Sequence, residues 1–154
     1  MDELSGTIAE GLAAHFEELA RVLHALAEPL SNEQMWTRPY PYGNSFGHLV
    51  LHLTGNLNYY IGAQIANTGY VREREREFIE ENPPSKPEAL KRFDHAGAMV
   101  TETLRLQSPA DWSRPITATG EKSAGNRFGI FLRCASHFRL HIGHMIYLSK
   151  ELAR

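Results

Sequence analysis

Residues 126–153 read NRFGIFLRCASHFRLHIGHMIYLSKELA. Phe128, Phe131, Leu132, Ala135, Phe138, Ile142, Met145, Ile146 and Leu152 recur in steps of three and four, which predicts one long helix with a buried face. The same stretch carries His137, His141 and His144. At about 100° per residue these three lie within roughly 60° of one another. Phe138, Met145 and Leu148 flank them, so the histidine face is expected to point into the protein. Such a helix needs apolar partners, and the rest of the chain supplies three.

Residues 4–27 place Leu4, Ile8, Leu12, Phe16, Leu19, Leu23 and Leu26 at helical spacing, and Pro29 stops the run. Ser31 and Gln34 form a capping-box pattern for a short turn before Pro39 and Pro41. A second long helix is predicted from Ser45, its N-cap, to about Asn67, with Gly69 as part of the stop. Its apolar set is Phe46, Leu49, Val50, Leu53, Leu57, Tyr60, Ile61 and Ile65. A third begins at Ser85 with an early proline and runs to about Gln107, burying Leu90, Phe93, Gly97, Val100 and Leu104. Residues 115–125 read as irregular, with at most a small hairpin. Four long amphipathic helices without convincing strands predict an all-α fold, a four-helix bundle with long connections, forming a single domain over residues 1–154.

Composition agrees. The chain has 154 residues, 42% of them hydrophobic, enough for one core at a prior of about 150 residues per domain. The formal net charge of −2 provides no field for a polyanion, so nucleic acid is not an expected partner. A single cysteine, Cys134, forms no internal disulfide, and no secretory signal or stretch of roughly 20 apolar residues is apparent. A cytoplasmic protein with no membrane contact is expected. The alternating RERERE run at 72–77 reads as a solvated face.

Eight histidines are more than a core of this size needs. On the second helix His48 and His52 are four apart, with Asn56 one turn further. Two imidazoles at i and i+4 are the spacing by which a helix presents two nitrogens to one metal ion. If the second and fourth helices face each other, His52 meets His137 and His141. A lone buried histidine is ordinarily a core residue bonded to a carbonyl, but several together would each need a partner. Three from two helices leave a coordination position open, as in catalytic sites. Cys134 reads as a small core residue whose direction allows it to reach the edge of the site. Of His15 and His24, about half a turn apart in projection, at most one faces inward, and His15 is the expected one. His95 is expected in solvent. Trp36 and Trp112 are expected to cover the bundle ends.

Two segments, SFGHLVLHLTGNLNYYIG (45–62) and HFRLHIGHMIYL (137–148), resemble the DinB-like superfamily of metal-dependent four-helix-bundle proteins, damage-inducible and thiol-transferase relatives included. Helix order and chain length resemble it as well. The resemblance implies metal ligands at His52, His137 and His141, with water or substrate completing the shell. The cofactor expected is a divalent ion: zinc first, with nickel, iron or manganese as alternatives, and imidazole ligands also suit copper. His48 and His144 depart from the family pattern, where an acidic residue and a glutamine are common. Either is an extra ligand, a general base, an outer partner of a ligand, or a polar side chain at the pocket edge. His144 and Asn56 are the candidates for catalytic or substrate-orienting roles, although Asn56 also fits an ordinary polar helix residue. The implied activity is a metal-dependent transferase with a low-molecular-weight thiol cosubstrate. The alternatives are a metal-dependent hydrolase and a non-catalytic bundle that binds a partner or a small molecule. The resemblance further implies a homodimer.

Overall fold

Helix 1 begins where the Asp2 side chain accepts a hydrogen bond from the Ser5 amide and satisfies an otherwise orphaned donor. In the computed structural model, which describes residues 2–118 and 124–154, this helix, α1, spans Glu3–Ala27. The short α2 (Asn32–Trp36) opens with the capping box of Ser31 and Gln34. Ser45 caps α3 (Phe46–Leu57), which runs into a π-helical turn, Asn58–Ala63. Left-handed backbone at Asn67 (φ 56°) and Gly69 (φ 77°) then turns the chain away. A single turn, α4 (Arg76–Ile79), precedes α5 (Lys86–Arg105), capped by Ser85. Asn126 caps α6 (Arg127–Leu152), accepting from the Gly129 amide at 2.8 Å.

The four long helices form the expected all-α bundle. α1 packs against α5 and α6, and α3 packs against the same two. Helices consecutive among the long four are therefore not all neighbours: α1 and α3 sit diagonally, as do α5 and α6. This topology places α3 beside α6, and with them the two histidine-bearing segments. Phe93 of α5 and Phe138 of α6 meet edge to face at 5.5 Å in the centre, both fully buried.

The buried stripe of α1 is rotated from the expected one. Ser5, Ala9, Ala13, Phe16, Leu19, Leu23 and Ala27 are buried, whereas Leu4 is 68% exposed. Small residues let α1 approach its neighbours closely, and alanines carry little weight in a reading led by large side chains. Likewise Phe128 and Leu132 of α6 are 38% and 48% exposed, so neither belongs to the core. Trp112 is buried at one end, its indole N–H donating to Ser5 Oγ at 2.7 Å. Ahead of α6 lies one antiparallel bridge, Pro115 with Asn126. The tip of the expected small hairpin, 119–123, lies outside the described residues. Among the described residues no helix is long and apolar enough to cross a membrane.

Candidate metal centre

α3 and α6 bring three imidazoles together. His52 Nε2 lies 3.0 Å from His137 Nε2, which lies 3.0 Å from His141 Nε2. The three rings are mutually edge to face, with centroids 4.5–4.9 Å apart. Each residue offers a ligand atom, and the three atoms lie within 4.8 Å of one another. Two nitrogens each about 2.0–2.1 Å from a tetrahedral ion stand about 3.3 Å apart. The observed spacing is within a few tenths of an ångström of that, so the donor set fits a divalent cation. Buried His137 Nδ1 has no hydrogen-bond partner among the described residues, and its Nε2 is the nitrogen turned toward the other two rings.

The electrostatics favour neutral rings. Burial pushes His137 down to about 4, helped by the charges of His52, Arg72 and Arg133. Burial likewise pushes His141 down to about 3, with His137 and His52 adding to it. Both imidazoles therefore keep a free lone pair at neutral pH, which is the form that binds metals.

The other histidines of the two segments stand outside the triad. His144 is exposed, and its Nδ1 meets the Nδ1 of His141 at 3.2 Å. The inward-facing histidines of α6 thus end at His141, while Met145 and Leu148 continue its buried face. His48 is buried, but its Nδ1 is bonded to Ser45 Oγ at 2.5 Å and its ring lies edge-on to Trp36. Burial, and then Arg38, hold its pKa below the usual histidine range. Gly47 leaves room for Trp36, since a Cβ there would sit 2.5 Å from the indole ring. Asn56 is buried one turn beyond His52, and its Oδ1 has no hydrogen-bond partner among the described residues. Away from the site, His15 and His24 both sit half-exposed on the flanks of α1, so the expected inward turn of His15 does not occur. His24 is bonded to Asp94 at 2.6 Å, and His95 is exposed as expected.

The charged run is the largest departure. Its two ends fold back on the triad instead of facing water. Glu77 is 7% exposed, and the Arg72 side chain is 9% exposed. Arg72 clasps the Glu77 carboxylate through Nε at 3.0 and 3.1 Å and through Nη2 at 2.7 and 3.1 Å. Glu77 Oε1 reaches to 3.5 Å from His52 Nδ1, and Phe78 packs against the same imidazole at 4.7 Å between centroids. Alternation of charge predicts a solvated ribbon because it does not show which members return to the bundle. One local mark is Gly55, three residues after His52, a position without a side chain on the same helix face.

A cavity of about 780 Å³ opens beside the triad. His52 and His137 form one wall, with Asn56, Tyr60, Arg72 and Cys134 among its other lining residues. Cys134 is a buried core residue that also reaches the edge of the site. On the far side, His141 and His144 border a separate groove with Tyr40 and Tyr147.

A protein-family model for the DinB superfamily matches residues 15–145. The chain belongs to the DinB superfamily. No curated protein matches it.

Proposed function

We propose that the protein binds one divalent metal ion, zinc in the first instance, through Nε2 of His52, His137 and His141, and uses it as a transferase with a low-molecular-weight thiol cosubstrate. The observation that carries this reading is the convergence of three Nε2 atoms from two helices, with His52 and His137 also lining a cavity of about 780 Å³. A divalent ion bound there supplies Lewis acidity, which favours the thiolate form of a bound thiol and the hydroxide form of bound water.

The residues of the chain do the rest. The neutral rings of His137 and His141 present lone pairs at physiological pH. The cavity admits a small molecule to the same side of the triad that His52 and His137 occupy. Asn56, buried with an unpaired Oδ1, orients a ligand by accepting an N–H or O–H from it. The buried apolar neighbour Ile130 helps exclude water. An open position favours catalysis over a purely structural site. Two observations support openness: His48 is engaged with Ser45, and His144 contacts the outer nitrogen of His141.

Elemental analysis of untagged protein tests the metal, with one ion per chain expected. Thiol-transfer assays with several cellular thiols against a common electrophile then test the reaction. Loss of turnover on chelation, with recovery on adding metal back, is the expected result. Metal-dependent ester or amide hydrolysis without thiol would replace transfer by hydrolysis. Stoichiometric metal with no exchangeable position would leave a binding module.

A further inference from the structure

Resting on the metal-site reading above, we infer that Glu77 is a positioning residue for His52, and that Arg72 and Gly55 exist at this site to hold the Glu77 carboxylate in place. An imidazole that offers Nε2 to a cation must carry its proton on Nδ1. That proton needs an acceptor. Two charged groups stand near His52 Nδ1: Arg72 Nη2 within hydrogen-bond reach at 3.4 Å, and Glu77 Oε1 in an ion-pair contact at 3.5 Å. Arginine has donors only, so of the two it is Glu77 that can take the proton once Nε2 is committed to a cation. A carboxylate behind a ligand histidine fixes the tautomer, steers the ring and raises its basicity.

The surroundings are built for that carboxylate. Buried charge is costly unless paired, and Arg72 pairs it through two nitrogens. Close approach to α3 is allowed because residue 55 lacks a side chain. A Cβ at Gly55 would stand 2.5 Å from Glu77 Oε2 and 2.8 Å from its Cδ. The segment is tied down on its other side as well, where Arg38 donates to the Phe78 carbonyl. The connection between α3 and α5 thereby completes a site made by α3 and α6.

The test uses the full chain stripped of metal and titrated with Zn²⁺ against a competing chelator. Gly55→Ala retains both charges, removes a helix-weakening glycine and displaces the carboxylate. Arg72→Met/Glu77→Leu removes the ion pair as a unit, so no lone charge is left buried. Each variant is expected to bind Zn²⁺ about 10- to 100-fold more weakly than the parent, the range for loss of an outer partner of a ligand. Co²⁺ loaded into either variant is expected to give visible absorption bands shifted from the parent's, a change that altered stability alone does not produce. Arg76→Ala, on the exposed part of the same run, is expected to match the parent. If Gly55→Ala fails to fold, the double variant decides. Affinities within two-fold of the parent, with unshifted Co²⁺ bands, overturn the assignment of Glu77 and leave the metal site standing. A parent chain that binds no Zn²⁺ overturns both.

Discussion

His144 Nδ1 lies 3.2 Å from His141 Nδ1, on the side of that ring away from the triad. The fourth histidine of the cluster thus addresses a ligand candidate from behind. Replacing His137 by Ala removes one of three donors, and stoichiometric metal is expected to be lost. Replacing His144 by Ala leaves all three donors. One ion per chain should remain, bound about 10-fold more weakly. Elemental analysis and chelator competition on the two variants separate these roles. Complete loss of metal in His144→Ala would make it a ligand instead.

Acid should destabilise the metal-free protein in a defined window. In the fold, His137 titrates near 4 and His141 near 3, against about 6.5 when unfolded. Between those values the unfolded chain takes up protons that the folded chain refuses, so stability falls as pH drops from about 6.5 toward 4 and these groups add nothing further below 3. Their contribution is fully present above 6.5. His48 is shifted in the same direction. Urea midpoints measured from pH 7.5 to 4.5 should decline, with a shallower slope in His137→Asn.

Asn56 poses a trade between stability and ligand binding. Its buried, unpaired Oδ1 costs the fold a desolvation penalty with no bond in return. Asn56→Leu, of similar volume, is expected to raise thermal stability by about 1 kcal/mol. The same variant should weaken binding of whatever the cavity holds. A lower melting temperature would mean that the amide is satisfied in solution by ordered water.

At the centre of the bundle, Phe138 and Phe93 share an edge-to-face contact with no exposure on either side. Phe138→Ala should cost about 3–5 kcal/mol, seen as a lower urea midpoint at unchanged slope. Because Phe138 is the residue directly after His137, metal affinity should fall as well.

Much of the architecture can be read from periodicity and caps. Ser45, Ser85 and the capping box at Ser31 and Gln34 mark helix starts that the structure keeps, because an N-cap is a local device. The meeting of His52 with His137 and His141 was legible for a similar reason, since each segment shows its own buried face. What failed was non-local. Which residues of α1 face inward depends on how closely its neighbours approach, and the answer is Ala9 and Ala13 rather than Leu4. Nothing in the alternation of residues 72–77 tells that Arg72 and Glu77 turn inward while Glu73, Arg74, Glu75 and Arg76 face water. The π-helical turn at Asn58–Ala63 likewise has no local sequence mark that we recognise.

That turn bears on how the protein's chemistry can diversify. A π-turn accommodates one extra residue, and each residue added to a helix swings the downstream side chains by about 100°. Tyr59 and Tyr60, inside the turn, face the cavity, while His52 sits upstream of it. Deleting a single codon here would re-aim the aromatic wall and shift the Arg72–Glu77 segment, while His52 keeps its place on α3. The lining of the cavity can therefore drift by inheritance while the three histidines stay in register.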